Sequence, residues 1–170
     1  MKQLIAPLVI ALAILTAPVS AQTVPLDHTT KAPSGLLLPR FVSISAGEAN
    51  MRTGPGDRYP IQWVYLRRHL PLQITAEYGA WRRVRDIEGT IGWMHSALLS
   101  GRRTAIVTGD TRTLYKSADV NSRPILKAEE GVNARILKCD GTWCRLEIAE
   151  HKGWMPQKNI WGTFTNETVR

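Results

Sequence analysis

Apolar and polar positions alternate from Leu70 to Leu99, LPLQITAEYGAWRRVRDIEGTIGWMHSALL. A period of two predicts a strand through Leu70, Leu72 and Ile74, a tight turn at Tyr78-Gly79, and a strand carrying Trp81 and Val84. A second turn at Glu88-Gly89 then leads to a strand carrying Trp93. The same frame returns between Val132 and Ile160, where Ile74, Trp81, Val84 and Gly92-Trp93-Met94 match Ile136, Trp143, Leu146 and Gly153-Trp154-Met155. Repetition of the apolar frame with diverged polar residues speaks for a repeated fold and says little about function. In the middle strand, alternation sets Trp81 and Arg83 on one face and Arg82 and Val84 on the other. Val84 is assigned to the core, and Trp81 to the barrel edge or a surface groove. Trp143 and Leu146 follow the same assignment unless a bulge turns both inward. Trp93 and Trp154, each preceded by glycine, are read as core, and Trp161 as a seal at the end of the second copy.

Ahead of each meander lie further short strands. Phe41 to Ser45 alternates, and Glu48 to Asp57 runs from a strand into a loop shaped by Gly54-Pro55-Gly56, after which YPIQWVYL (Tyr59 to Leu66) returns to the sheet. In the second copy the corresponding stretches are Thr104 to Thr108, Thr113 to Lys116 and Leu126 to Glu130, with SADVNSRP (Ser117 to Pro124) in place of the glycine-rich loop. One turn of tight helix is predicted after each third strand, at Ser96–Leu99 and Pro156–Ile160, and Ser100–Arg103 forms a junction too short for independent tumbling. No long amphipathic helix interrupts the pattern. The expectation is an all-β chain of two tandem small SH3-like, partly open barrels, residues 41–100 and a divergent 104–161, followed by a C-terminal tail at 162–170.

Residues 1–21 read as a cleaved signal peptide: Lys2 opens a positive segment, Leu4 to Leu15 is apolar, and Val19-Ser20-Ala21 offers small residues for cleavage. That run is shorter than the ~20 residues a permanent span needs, so no stable membrane span is expected after cleavage. Residues 22–40, with Pro25, Pro33 and Pro39, read as a flexible leader in which Leu36-Leu37-Leu38 is able to dock on a domain. Without Lys2 the chain keeps 21 basic and 14 acidic residues, a net of +7. Such a charge favours anionic polymers or surfaces. The excess is spread along the chain, and with no basic patch or aromatic RNA-binding signature, nucleic acid is not an expected partner.

The segment Asn50-Met51-Arg52-Thr53-Gly54-Pro55-Gly56, with Trp81, Val84 and Gly92-Trp93-Met94, resembles the bacterial SH3 domain family of exported proteins. The resemblance implies a barrel of five or more strands, a periplasmic or secreted location, and a role in binding cell-wall peptidoglycan or another envelope protein. In the second copy Thr113-Leu114-Tyr115-Lys116-Ser117-Ala118 replaces the first motif and lacks its Asn-Arg pair and glycines, so a shared ligand does not follow.

Cys139 and Cys144 flank Asp140-Gly141-Thr142-Trp143 at the two ends of a hairpin loop, within disulfide reach in an oxidising compartment. Redox thiols, metal ligands and unpaired thiols are the competing readings. The four-residue spacing is wrong for a redox pair, and a zinc site needs two more ligands, of which only His151 is close in sequence. Glu77 and Arg82 occupy the matching places in the first copy, where an exposed charge pair is expected. His95, which Asp86 or Glu88 is placed to orient, has no activated nucleophile in the sequence to serve, and neither a metal nor another cofactor is expected.

Candidate ligand-binding residues are Arg52, Arg58, Tyr59, Trp63, Tyr65 and Trp81: rings that stack on sugars or peptide side chains, and guanidinium groups that pair with carboxylates. Arg52 has a second reading, as an anchor for the loop carbonyls. Asn50, Gly54, Pro55, Gly56, Gly92, Trp93, Trp143, Gly153 and Trp154 are read as structural. The functional expectation is a non-catalytic cell-envelope module that recognises peptidoglycan stem peptides or an envelope protein through a groove of the first copy. Its alternatives are a structural or folding-assistance partner acting through the inter-repeat surface and, last, a wall-fragment hydrolase.

Overall fold

The structure, a computed structural model, describes residues 30–170. The expected signal peptide and the first part of the leader lie outside the described residues. The remaining leader residues are ordered into a hairpin, β1 (Thr30–Lys31) paired with β2 (Leu37–Leu38), and Leu38 packs against the first core. The first copy then runs β3 (Arg40–Ile44), β4 (Ala49–Arg52), β5 (Ile61–Tyr65), β6 (Pro71–Tyr78), β7 (Trp81–Arg85), β8 (Ile91–His95), a 3-10 turn at Ser96–Leu98 and β9 (Leu99–Ser100). The second runs β10 (Thr104–Val107), β11 (Arg112–Tyr115), β12 (Pro124–Ala128), β13 (Asn133–Asp140), β14 (Trp143–Ile148), β15 (His151–Pro156), a 3-10 turn at Gln157–Asn159 and β16 (Ile160–Trp161). A final strand, β17 (Thr168–Val169), pairs with β13, so the expected tail folds back onto its own barrel.

The two sheets share one topology. Strand order is β5-β4-β8-β7-β6-β3-β9 in the first and β12-β11-β15-β14-β13-β10-β16 in the second. The long strand of each meander carries an irregularity at the same place, between Ile74 and Ala76 and between Ile136 and Lys138. An extra residue there bends the sheet and lets it curl into a barrel.

Closure depends on one glycine in each copy. A Cβ on Gly92 would lie 2.4 Å from Met51 Cγ and 2.9 Å from the Arg52 carbonyl oxygen, and one on Gly153 would lie 2.6 Å from the Tyr115 carbonyl oxygen. Without side chains there, β8 and β15 approach the strands that cross them, making the Arg52–Trp93 and Tyr115–Trp154 pairs. Alternation then sends Met94 and Met155 inward, where both are fully buried, and leaves Trp93 and Trp154 half-buried on the outer face. The expectation that these two tryptophans fill the cores does not hold. The residue two places after a glycine on the inner face is the core residue, and the tryptophan between them faces out. Val84 and Leu146 are fully buried, whereas Trp81 and Trp143 are half-buried.

Glu77 and Cys139 occupy equivalent places beside the first turn of each meander, and the two copies solve that position differently. Cys139 stands opposite Cys144 across the β13–β14 pair, with Cα atoms 4.1 Å apart, and the two form a buried disulfide. Glu77 stands opposite Arg82, but its side chain is only 2% exposed, in place of the expected surface pair. Arg40 approaches it at 2.5 Å and Arg82 at 3.3 Å, while the Ser34 hydroxyl and amide donate to the same carboxylate at 2.9 and 3.1 Å. Burial works to raise the Glu77 carboxyl, but the hydrogen bonds from Arg40 and Ser34 outweigh it and hold the group below its ordinary value.

Arg40 has a counterpart in Arg103, since each lies beside the matching isoleucine, Ile74 or Ile136. With a cysteine where the first copy has Glu77, Arg103 takes its carboxylate from the C-terminal segment: Glu167 accepts from it at 2.7 and 3.0 Å and also accepts from the Phe164 amide. Gln157 donates to the carbonyls of Phe164 and Glu167 and fixes the same segment. The copies meet where Phe41 packs edge-on to Trp161 at 5.1 Å and against Phe164 at 4.9 Å, with the Arg103 guanidinium over its ring. Asn133 of the second copy also donates to the His69 carbonyl of the first, at 2.8 Å.

Two predictions follow from these staples. Replacing Glu77 with Gln lowers stability at pH 7 by about 2 kcal/mol, the size of a lost charge-assisted hydrogen bond. Because the folded-state pKa is depressed, the carboxylate's contribution is present above the unfolded value of about 4.3 and disappears as pH falls through the folded one. The gap between wild type and E77Q in urea denaturation therefore narrows from pH 7 to pH 3. Replacing Cys139 and Cys144 together with Ala costs about 2 kcal/mol, the loop entropy of so short a closure, read as a drop in urea midpoint that reductant does not deepen.

Candidate functional site

Tyr59 is held in place by its own loop. The loop after β4 turns back on itself through Gly56 N–H donating to the Gly54 carbonyl at 3.0 Å and Tyr59 N–H donating to the Gly56 carbonyl at 3.1 Å. Arg52 donates to the Tyr59 carbonyl at 2.8 Å and lies 3.8 Å from Asp57, so its guanidinium pins the loop end. The Tyr59 ring lies flat on Gly54, where a Cβ would stand 2.4 Å from it, which explains the glycine. Arg58, exposed, stacks over that ring at 5.2 Å and donates to its hydroxyl at 3.3 Å. The loop thus presents a cation on an aromatic ring, held from beneath by a second arginine.

In the β6–β7 hairpin Tyr78 stands opposite Trp81 across the turn. Trp81 in turn meets the edge of His95 at 5.4 Å. His95 Nδ1 accepts from the Ala97 amide and caps the 3-10 turn, and the Asp86 carboxylate, expected to orient it, is engaged elsewhere. Trp93 sits on the outer sheet face between Arg52 and Arg83.

Tyr65 and Trp63 belong to a different place. Tyr65 is buried in the first core and donates to Asp86 Oδ2 at 2.7 Å, while Asp86 Oδ1 accepts from the Thr90 amide. Burial first, and then the hydrogen bond to Asp86, raises the phenol well above its ordinary value, so it stays a proton donor. It is therefore a core residue with a satisfied hydroxyl, not a free ring for stacking. Trp63, 54% exposed, opens onto a cavity of about 510 Å3 between the copies. None of Arg52, Arg58, Tyr59 or Trp81 lines that cavity, so the six candidates divide between two surfaces.

Glu130 and Arg67, which the sequence places only in polar turns, also line this cavity. Its only signal is the short junction, which predicts contact between the copies without naming the residues that meet. In the second copy, Trp143 and Pro156 line a separate cavity of about 670 Å3, walled by Phe164 and the C-terminal segment. The Asp140 carboxylate, held below its ordinary value by the Trp143 and Thr142 amides, fixes the turn beside it. Asn50, between buried Ala49 and Met51, lies on the outer face of β4 and pairs with Val64, and Pro55 and Gly56 lie in the loop. Among the described residues, no cluster of three or more His, Cys, Asp or Glu is placed to hold a metal, and no helix is long and apolar enough to cross a membrane.

Comparison with known proteins accords with the repeat. No curated protein sequence matches the chain. Among solved structures, it is similar to NlpC2 from Trichomonas vaginalis, at 13% identity and a TM-score of 0.34, over 74% of this chain and 48% of that one. It is also similar to an NlpC/P60 family protein from Bacillus cereus ATCC 10987, at 15% identity and a TM-score of 0.33, over 71% of this chain and 55% of that one. The chain spans about half the length of each. The bacterial SH3 domain family matches residues 45–101 and again residues 109–162. With the Asn50–Gly56 loop, the paired glycine crossings and the repeated strand order all in place, the chain belongs to the bacterial SH3 domain family and carries the domain twice.

Proposed function

We propose that this chain is a non-catalytic binding module of the cell envelope that holds peptidoglycan stem peptides, or a peptide of an envelope protein, on the loop surface of its first copy. The observation that carries this reading is the exposed Arg58 guanidinium stacked on a Tyr59 ring already fixed by Arg52 and Gly54. Arg58 offers two parallel donors to a peptide carboxylate, while Tyr59 and Trp81 offer flat apolar area at small entropic cost. Because the loop's own hydrogen bonds and the Arg52 anchor hold Tyr59 in place, little of the binding energy is lost to arranging it. Membership of the bacterial SH3 domain family and the buried disulfide support an exported, periplasmic or secreted, binding role. His95 is engaged as a cap and an aromatic partner, which supports the non-catalytic reading. A second reading, docking through the inter-repeat surface, is favoured by the cavity beneath Trp63.

Co-sedimentation with purified peptidoglycan separates the two surfaces. Arg58→Ala combined with Tyr59→Ala lowers retention by about tenfold, as expected when an anchor pair is removed, whereas Trp63→Ala alone leaves it unchanged. Retention unaffected by the double substitution sinks the loop surface as the docking site. Gly54→Ala, which displaces the Tyr59 ring without removing any ligand-facing group, lowers retention in the same direction while circular dichroism stays that of the folded chain.

A further inference from the structure

The cavity between the copies has a chemistry of its own. Its apolar lining comes from half-buried Leu70, just before β6, and from Ile106 in β10, which lie over the fully buried Leu72 and Val107 of the two cores. One wall is the Trp63 indole, more than half exposed, and next to it Ile87 is 38% exposed. Two carboxylates stand on the rim from opposite copies: Glu88 from the β7–β8 turn and Glu130 from the turn before β13. Glu130 is oriented by one hydrogen bond, accepting from the Gly109 amide at 3.2 Å. Asp86 also lines the cavity, but both of its oxygens are already used by Tyr65 and Thr90.

We infer that this inter-repeat cavity is a binding site for a primary ammonium group on an alkyl stem, presented by a peptide, with the stem on the apolar floor and the ammonium between Trp63, Glu88 and Glu130. An alkyl chain several carbons long matches an apolar lining of Leu70, Ile87 and Ile106, and a cation at its end meets both an indole face and carboxylates. An anion is disfavoured by those carboxylates. A purely apolar occupant would make no use of either carboxylate.

The chain as a whole is basic, which opposes a cationic ligand at long range. At physiological ionic strength, however, charges beyond about 8 Å are largely screened, so the rim carboxylates decide the field inside the cavity. Arg67 lies on the same rim and is suited to a carbonyl or carboxylate of the peptide that carries the amine. The site exists only in the tandem arrangement, because neither copy alone supplies both the floor and the two carboxylates. It shares no residue with the Arg58 surface, so its test is independent of the retention experiment.

The test uses the full chain and two small probes: N-acetyl-lysine methylamide, and the same compound with its side-chain amine acetylated. The readout is the indole N–H resonance of Trp63. The free amine shifts that resonance saturably, and the acetylated probe does so at least about tenfold more weakly. Glu88→Gln combined with Glu130→Gln weakens the free amine by a similar factor, and Glu88→Gln alone, which leaves the Gly109 hydrogen bond intact, weakens it in part. Arg58→Ala has no effect. Equal affinity for the two probes, an unchanged affinity in both Gln variants, or no shift of Trp63 at millimolar probe each overturns the inference. So does sedimentation showing that a second copy of the chain covers Trp63 in solution.

Discussion

Each barrel depends on a backbone crossing that tolerates no side chain. Where β8 passes β4, and β15 passes β11, a carbonyl oxygen stands less than 3 Å from the place a Cβ would take. Glycine at that point sets the parity of the whole strand. It puts a methionine into the core two residues later, turns the intervening tryptophan outward, and brings Arg52 beside Trp93. From there Arg52 reaches the loop that carries Tyr59, so the candidate ligand surface is positioned by a steric requirement on the opposite side of the same strand pair.

The two copies keep this crossing and diverge around it. Where the first has a buried carboxylate shared by two arginines and a serine, the second has a disulfide. The exchange leaves the second arginine without its local partner, and the C-terminal segment supplies one. Divergence of a single residue pair is thus compensated by the recruitment of a segment that the first copy does not need. The leader hairpin plays the matching part in the first copy, where Ser34 completes the shell around Glu77. Both additions lie next to the same strand position, and both are consequences of how that position is filled.

The sequence made the repeat, the strand count and the hairpin turns legible because each rests on local signals: alternation, Tyr-Gly and Asp-Gly turns, and recurrent glycine-tryptophan-methionine triplets. It also made the disulfide legible, since opposite positions on a tight hairpin are close whatever surrounds them. It misplaced Trp93 and Trp154 because size argues for burial, whereas the inner face was already fixed by Gly92 and Gly153. Glu77 looked exposed because its second arginine lies 37 residues away and Ser34 lies in a stretch with no strand period. The ligand candidates looked like one groove because Tyr59, Trp63 and Tyr65 are close in sequence. In space, Tyr65 turns into the core, Trp63 turns to the other copy, and only Tyr59 stays with Arg58.

The Arg103–Glu167 pair bears on the order in which a chain made from its amino end is completed. Arg40 meets Glu77 within a segment that emerges early, whereas Arg103 waits for a residue 64 positions further on. A polypeptide emerging from its amino end therefore closes its leading barrel first. The trailing one stays unsealed, with β17 not yet laid beside β13, until the last stretch has been made.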